Sequence, residues 1–303
     1  MSPAVTRSGI LVGVDGSAES DAAIRWATHE AVMRRAAMTL MHVVAPLAAS
    51  WPMGPVYADI TEWQRNNARH ILDEALKVLR TTVSASQLPD VHIETLNSSV
   101  VPTLVRASEN HQMIVVGSRG SSALGRLLLG SVSTGLVHHA SCPVAVIRPE
   151  PEPSYGDAPI LLGIDGSPAS EAATALAFDE ASRRGVDLVA LHAWSDVAVF
   201  PILGMDWHEY ESQGHEILSE RLAGWQEQYP DVHVERRLVC DQPARWLTRE
   251  SQHAQLVVVG SRGRGGFAST WLGSVSNAVA QSANVPVIVV REATPASKSV
   301  TDR

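Results

Sequence analysis

The chain contains one glycine-rich pattern twice, and each copy directly follows an apolar run. The first copy reads Gly-Ser-Arg-Gly at 117–120 and, after nine intervening residues, Gly-Ser-Val-Ser at 130–133. The second copy has the same spacing, with Gly-Ser-Arg-Gly at 260–263 and Gly-Ser-Val-Ser at 273–276. A glycine-rich loop between a buried strand and a helix start is an arrangement in which backbone amides hold phosphate. Because two matching copies rarely arise by chance, the pattern predicts a repeated fold with a phosphate site in each copy.

The repeat extends over most of the chain. Residues 11–17 match 161–167, residues 40–43 match 190–193, residues 91–94 match 232–235, and Pro102 is matched with Pro243. The offset between the copies drifts from 150 to 141 and then to 143, which small loop insertions and deletions explain. We therefore expect two domains, 1–148 and 158–292, joined by a proline-containing linker at 149–157 and followed by a tail at 293–303.

Composition limits the class of protein. The 303 residues are 45% apolar and 18% charged, as in ordinary globular domains. No apolar stretch approaches the ~20 residues of a membrane span, so we expect no membrane insertion. The two cysteines, Cys142 and Cys240, stand at non-equivalent positions and fit a reducing cytosol, so we expect a cytoplasmic protein. A net charge of −8 argues against nucleic acid as a partner. The same charge repels ATP, so a phosphate site needs local cations, and the loops supply Arg119, Arg126, Arg262 and Arg264.

Strand and helix patterns alternate within each half. In the first half, apolar runs predict strands at 10–14, 39–44, 91–96, 113–116 and 144–147, and helical spacing predicts helices at 18–34, 60–83, 102–110 and 131–139. This order predicts an α/β fold in which helices cover both faces of a parallel sheet. Ligands of such sheets bind beyond the carboxyl ends of the strands, where Asp15 and the loop at 117 both lie.

The glycine pattern suggests specific contacts with phosphate. Gly117 and Gly120 allow positive φ or a close backbone approach, and Ser131 and Val132 present their amides at a helix N-terminus. The alternative for a single copy is a glycine loop without a ligand. Neither copy has the Gly-Lys-Ser/Thr ending of a Walker loop, and the first strand lacks the G-x-G-x-x-G of a dinucleotide site.

Polar residues at the ends of the first two strands complete the candidate site. Asp15 and its counterpart Asp165 suit either ribose hydroxyls or a hydrated Mg²⁺ on the phosphates, and the alternative is a helix-capping turn. The backbone after His42 (Val43) and after His192 (Ala193) suits an adenine edge, whereas each imidazole is interpreted as a hydrogen-bonded structural group. No histidine spacing indicates a metal site, so we expect none.

These residues resemble the universal stress protein family, in its ATP-binding branch and tandem-domain form, because its signature G-x-x-G, nine residues, G-S/T occurs in full in both halves. The resemblance implies two Rossmann-like domains, each a five-stranded parallel sheet of order 3-2-1-4-5, and ATP as the ligand. In the first half the candidate ATP contacts are Gly13, Asp15, Val43, Gly117, Ser118, Arg119, Gly120, Ser121, Ser122, Ala123, Arg126, Gly130, Ser131, Val132 and Ser133. In the second half they are Gly163, Asp165, Ala193, Gly260, Ser261, Arg262, Gly263, Arg264, Gly265, Gly266, Gly273, Ser274, Val275 and Ser276.

The resemblance implies a regulator of stress response or growth. We expect no catalytic residues, because the loops offer serines and arginines but no further carboxylate or histidine as a base for water. Two alternatives stay open: a nucleotide α-hydrolase-like enzyme or slow ATPase on the same fold, and a scaffold that ATP only stabilises. A regulatory protein partner of unknown identity is also expected.

The fifth strand of each half predicts how the halves assemble. Residues 144–147 and 287–290 should each form the edge of their sheet, and a bare apolar edge invites aggregation. Two equivalent edges on one chain cover each other if they pair antiparallel across a pseudo-two-fold axis. We therefore expect the halves to join through these strands, and two chains to associate through other surfaces as a homodimer.

Overall fold

The halves of the protein share a single β-sheet in the computed structural model, which describes residues 8–46, 54–120, 129–149, 156–193, 207–263 and 273–292. The ten described strands form one sheet of order β3-β2-β1-β4-β5-β10-β9-β6-β7-β8, numbered along the chain. No helix in these ranges is long and apolar enough to cross a membrane. Most of the linker (150–155) and the tail (293–303) lie outside the described residues.

The first half has five strands and four α-helices in alternation. These are β1 (Ser8–Gly13), α1 (Ala18–Arg34), β2 (Met38–Val44), α2 (Gly54–Thr82), β3 (Val91–Asn97), α3 (Val100–Ser108), β4 (His111–Gly117), α4 (Ser131–His139) and β5 (Val144–Ile147). A short 3₁₀ turn at Ala85–Gln87 precedes β3. Helix α2 begins six residues before the predicted start. Pro55 is compatible with this start, because an N–H in the first turn has no partner within the helix.

The second half repeats the same order. Its elements are β6 (Ile160–Gly163), α5 (Pro168–Arg184), β7 (Leu188–Ala193), α6 (Trp207–Gln228), β8 (Val234–Val239), α7 (Pro243–Glu250), β9 (Leu256–Gly260), α8 (Ser274–Ser282) and β10 (Val287–Val290). A 3₁₀ turn at Ser251–His253 follows α7.

The strand order 3-2-1-4-5 is confirmed in each half, and the predicted joining of the halves is confirmed as well. Within each half all strand pairs are parallel, whereas β5 and β10 pair antiparallel, with Val146 opposite Val287 and Ala145 opposite Ile288. One correction follows: the halves do not form two separate sheets, because each fifth strand becomes an interior strand of the ten-stranded sheet.

Helices cover both faces of the sheet, as predicted. Alternate strand residues point to opposite faces, so Ile10 and Val12 join the core beneath α1, α2, α5 and α6. Leu11 belongs to the core beneath α3, α4, α7 and α8. The four residues of β5 and the four of β10 are all buried. The residues of the junction are therefore as fully buried as those at the centre of either half.

The register of the sheet corrects part of the repeat alignment. Met38 lies beside Val91 in the first half, and the equivalent Leu188 lies beside Val234. The copies are therefore offset by 143 from the third strand onward, not by 141. Pro243, matched in sequence with Pro102, is structurally equivalent to the first residue of α3, Val100. The sequence match failed because both segments alternate with period two, which hides a shift of two residues.

A buried ion cluster joins α1 to α5 across the junction. It contains Glu30 and Arg34 from the first half and their equivalents Glu180 and Arg184 from the second. Arg34 is paired with Glu30 and with Glu180, and Arg184 lies 2.7 Å from Glu30 and 3.0 Å from Glu180. Both carboxylates are fully buried. Each half supplies one acid and one base, so each buried charge finds partners in both halves.

Burial and the nearby Glu180 carboxylate raise the pKa of Glu30 from 4.5 to about 7. Burial also opposes ionisation of Glu180, but attraction to Arg184 and Arg34 outweighs it, and its pKa is lowered. The pair thus holds one proton more tightly than the unfolded chain does. Stability linked to the raised pKa of Glu30 is fully present below about pH 4.5 and is lost as the pH rises through about 7.

Glu30→Gln should remove this pH dependence, because the amide stays neutral at every pH. Between about pH 5 and pH 8 the free energy of unfolding of the parent should fall relative to that of the variant, by on the order of 2–3 kcal/mol. Urea denaturation at several pH values measures the difference. Asp179→Asn, which removes an outer partner of Arg34 (3.1 Å), is the control and should follow the parent. Parallel profiles for the parent and Glu30→Gln would contradict the assignment.

Candidate functional site

The turn after the first strand of each half holds an aspartate in place. The Asp15 Oδ1 atom accepts hydrogen bonds from the Ser17 amide (3.0 Å) and the Ser17 hydroxyl (2.6 Å). Ser17 Oγ also accepts from the Ser20 amide and so caps α1. In the second half, Asp165 Oδ1 accepts from the Ser167 amide (2.9 Å). Each aspartate thus uses Oδ1 for a turn with the serine two residues on, whereas the cap of the following helix is that serine, Ser17 or Ser167, and not the aspartate weighed as an alternative.

The base of each glycine loop is tied to the strand beside it. The Ser118 amide donates to the Ile147 carbonyl (2.6 Å), and the Ser118 carbonyl accepts from Gly130 (2.8 Å) and from the Ser133 hydroxyl (2.8 Å). The second half repeats these contacts with Ser261, Val290, Gly273 and Ser276. The two ends of each loop are therefore clamped together. Ser118 and Ser261 are buried beneath the loops and hold their geometry.

The two glycines of each Gly-Ser-Arg-Gly segment exclude a side chain for different structural reasons. A Cβ atom on Gly117 would lie 2.7 Å from Glu19 Cβ and 2.8 Å from the Glu19 carbonyl carbon, in the first turn of α1. A Cβ atom on Gly120 would instead lie 2.6 Å from Asp15 Oδ2. Neither glycine is among the described positive-φ residues, so of the two predicted reasons the close approach applies.

The second half has the same division of roles. A Cβ atom on Gly260 would lie 2.8 Å from the backbone of Ala169 and of Ser170 in α5, whereas one on Gly263 would lie 2.5 Å from Asp165 Oδ2. Gly117 and Gly260 thus allow the loop to pack on a helix. Gly120 and Gly263 bring the loop backbone up to the aspartate.

A cleft of about 720 Å³ opens at the carboxyl ends of the second-half strands. Its volume lies in the range of small-molecule sites. The predicted residues that line it are Gly163, Asp165, Ala193, Gly260, Arg262, Gly263, Gly273, Ser274, Val275 and Ser276. Its apolar lining includes Ile164, Leu191 and Leu247. The cleft lies between β6 and β9, where the strand order reverses, which is the usual ligand position in open α/β sheets.

One edge of this cleft was not predicted from the sequence. The start of α7 contributes Gln242, Pro243, Ala244 and Arg245 to the lining. A signal was present, because the third strand of each half also ends at the carboxyl edge and a proline there indicates a helix start. Gln242 and Asp241 both adopt the left-handed conformation (φ 50° and 55°), which turns the chain sharply into α7.

The cationic groups differ between the halves. Arg119 lies 3.1 Å from Glu19 on α1, whereas Ala169 occupies the position of Glu19 in the second half. Arg262 lines the second-half cleft, and so does Arg245, whose structural equivalent in the first half is Pro102. Among the described residues, the second half thus has an additional arginine at this edge and lacks a counterpart of Glu19.

Both histidines at the end of the second strand are structural, as interpreted from the sequence. His42 Nδ1 lies 2.7 Å from the Val14 carbonyl, and His192 Nδ1 lies 2.7 Å from the Ile164 carbonyl. These bonds link the second strand to the turn after the first. The following residues, Val43 and Ala193, are thereby fixed at the sheet edge, and Ala193 lines the cleft.

The middle of each loop lies outside the described residues. This applies to the predicted contacts Ser121, Ser122, Ala123, Arg126, Arg264, Gly265 and Gly266. The remaining predicted residues of the first half occupy positions equivalent to those of the second, and Gly130 and Ser131 begin α4 as Gly273 and Ser274 begin α8.

Comparison with known proteins gives a consistent result. The sequence model of the universal stress protein family matches residues 7–148 and again 158–291. A universal stress protein of Mycolicibacterium smegmatis is 56% identical over 96% of this chain and 99% of its own length. One from Mycobacterium tuberculosis is 50% identical over 96% and 99%. The crystal structure of a universal stress protein from Archaeoglobus fulgidus shares the fold, with a TM-score of 0.68, 20% identity and coverage of 94% of this chain and 98% of that chain.

The different roles of the loop glycines predict different effects on stability. Gly117→Ala should lower the free energy of unfolding by about 1–3 kcal/mol, because its methyl group meets helix backbone that cannot move aside. Gly120→Ala is the matched control and should stay within about 1 kcal/mol of the parent, because its methyl group meets one side-chain oxygen of Asp15 and no backbone atom of the described residues. Urea denaturation compares them, and Gly260→Ala with Gly263→Ala repeats the test. Equal losses in the two variants would refute the packing role.

Proposed function

The chain belongs to the universal stress protein family, and we propose that it binds ATP in each half and acts as a nucleotide-dependent regulator of stress response or growth. The observation that carries this proposal is the second-half cleft, where the N-terminus of α8, Arg262 and the Gly263–Asp165 contact converge at the strand-order reversal. Such a site offers amide donors, local positive charge and a carboxylate around one small-molecule volume.

Each part of the cleft suits a different part of a nucleotide. Ser274 and Val275 present the first amides of α8 to phosphate, and Arg262 adds positive charge beside them. Asp165 stands between the turn and the loop, where a carboxylate accepts from ribose hydroxyls or from the water shell of Mg²⁺ on the phosphates. The Ala193 backbone and the apolar lining suit the adenine ring. The loop residues outside the described ranges belong to the same proposal.

The glycines provide a test of fit. A side chain on Gly263 would enter the space directly beside Asp165 Oδ2 (2.5 Å), and one on Gly120 would do the same beside Asp15 Oδ2 (2.6 Å). Only a bare backbone therefore leaves room for a ligand to reach both the aspartate and the loop amides. The same cradle in both halves supports two sites.

We propose further that the second site binds ATP more tightly. Arg119 lies against the Glu19 carboxylate, so phosphate must compete with Glu19 for its charge. In the second half the counterpart of Glu19 is Ala169, which carries no charge, and Arg245 lines the cleft together with Arg262. A nearby carboxylate repels a phosphate and a nearby arginine attracts it, so electrostatics favour ATP binding in the second half.

A regulator fits the cleft better than an enzyme. Among the described lining residues, Asp165 is the single carboxylate and no histidine is present. The amide of Ser167 already occupies one oxygen of that carboxylate. Hydrolysis of ATP needs a base or orienting group for water near the γ-phosphate, so we propose that this protein holds ATP without fast turnover. A slow ATPase or nucleotide α-hydrolase-like enzyme is the alternative.

The surroundings of the protein are part of the same proposal. We propose a cytoplasmic homodimer that acts through a regulatory protein partner. Because β5 and β10 are used within the chain, self-association needs another surface. Strand β3 is one end of the sheet, and it exposes Ile93 (47%) and Leu96 (42%).

The two sites can be blocked one at a time. Ser131→Asp and Ser274→Asp each add a carboxylate at the exposed start of α4 or α8, which favours the helix but repels phosphate. Isothermal titration with Mg-ATP should show two sites in the parent and one in each variant. The site that remains in Ser274→Asp is that of the first half, and it should be the weaker. Ser131→Asn and Ser274→Asn are neutral controls and should keep both sites. Two unchanged sites in both acidic variants would contradict the proposed location.

Turnover separates the regulator from the enzyme. Purified protein, denatured by heat, should release ATP or ADP, and steady-state hydrolysis should stay far below the enzyme median of ~10 s⁻¹. Phosphate release is measured for the parent and for a double variant that carries both Ser131→Asp and Ser274→Asp. Rapid turnover in the parent that disappears in the double variant would favour the enzyme instead.

A further inference from the structure

One arginine of each half reaches into the other half. Arg148 follows β5 directly, and Arg291 follows β10 at the equivalent position. Because β5 and β10 run antiparallel, the end of each strand lies beside the start of the other, a few residues after the last helix of the other half. Each arginine thereby arrives at the last helix of the half to which it does not belong.

Both arginines end on helix carbonyls. Arg148 Nη2 donates to the Ala280 carbonyl (3.1 Å) and to the Gln281 carbonyl (2.5 Å), in the last turn of α8. Arg291 Nη1 donates to the His138 carbonyl, in the last turn of α4. The last carbonyls of a helix lack partners within it, and a cation there also interacts favourably with the helix dipole. The two contacts are reciprocal caps.

The capped helices are those whose N-termini face the phosphate positions. Helices α4 and α8 have nine residues each, so about 13 Å separates each arginine cap from the serine that begins the helix. A cation at one end of so short a helix and an anion at the other act on the same dipole. Holding the C-terminus also fixes where the N-terminal amides point.

The strand ends that carry the arginines are bonded to their own glycine loops. Ser118 donates to Ile147, directly before Arg148, and Ser261 donates to Val290, directly before Arg291. Burial and the nearby Arg119 lower the pKa of Arg148, and burial and Arg262 lower that of Arg291. Each arginine thus lies within the electrostatic reach of its own loop while it holds the helix of the other half.

We propose that Arg148 is a positioning residue for the phosphate site of the second half, and Arg291 for that of the first half. The inference rests on the proposed ATP binding and adds that each site is completed by an arginine from the other half. Arg148 is not among the described residues that line the second-half cleft, so its effect passes through the capped helix.

The test measures Mg-ATP affinity with one site blocked. In Ser131→Asp, which leaves the second site, Arg148→Met should weaken binding by about three- to tenfold, the range expected for a lost helix-end cation. Arg148→Lys, which restores charge and donors, should recover most of the affinity. In Ser274→Asp, which leaves the first site, Arg291→Met should have the larger effect and Arg148→Met the smaller.

A second readout needs no nucleotide. Hydrogen exchange should be faster at the Asn277 amide, which donates to Gly273 at the start of α8, in Arg148→Met, and at the Thr134 amide, which donates to Gly130 at the start of α4, in Arg291→Met. Arg148→Lys should stay close to the parent. If the parent binds two ATP but each methionine variant affects only its own half, or neither half, the cross-half role is wrong and ATP binding stands. If the parent binds no ATP, the proposed function fails and the inference fails with it.

Discussion

The antiparallel contact between β5 and β10 is the interaction on which the remaining architecture depends. Each half alone would expose an apolar fifth strand with unpaired amides and carbonyls. Pairing the two edges satisfies both ladders at once and buries all eight residues. The contact also fixes the pseudo-two-fold relation of the halves. From that relation follow the crossing of Arg148 and Arg291 and the meeting of α1 with α5.

The ion cluster between α1 and α5 explains why this junction has one geometry. Two apolar edge strands alone can pair in more than one register. A buried charge without its partner costs several kcal/mol of stability, so buried ion pairs allow one register only. Glu30 and Glu180 are fully buried and each lies between two arginines. A shift by one residue along the strands would separate these pairs. We interpret the cluster as the element that specifies the register, while the strands supply most of the buried area.

Much of this organisation could be read from the sequence, for identifiable reasons. The repeat revealed two equivalent units, and the alternation of strand and helix gave the parallel sheet and its ligand edge. Helices α1 and α4 were predicted with their observed bounds because their caps and apolar spacing agree. The shift from 141 to 143 was missed because period-two strands look alike two residues apart. The contribution of the α7 start to the cleft was overlooked although Pro243 marked a helix start at the carboxyl edge. The cross-half arginines and the packing role of Gly117 were missed because they depend on tertiary contacts that no local pattern encodes.

Joining the halves in one polypeptide changes the thermodynamics of their contact. Two separate chains that met through their fifth strands would come apart on dilution, whereas linked halves meet as an intramolecular event with an effective concentration in the millimolar range for a short linker. The two halves of one chain therefore stay partners at any dilution. A fused pair can also diverge, as Arg245 opposite Pro102 illustrates, since neither half must recognise a copy of itself. The molecule is in this sense an obligate heterodimer encoded as a single gene product, with a fixed stoichiometry of one unlike half to the other.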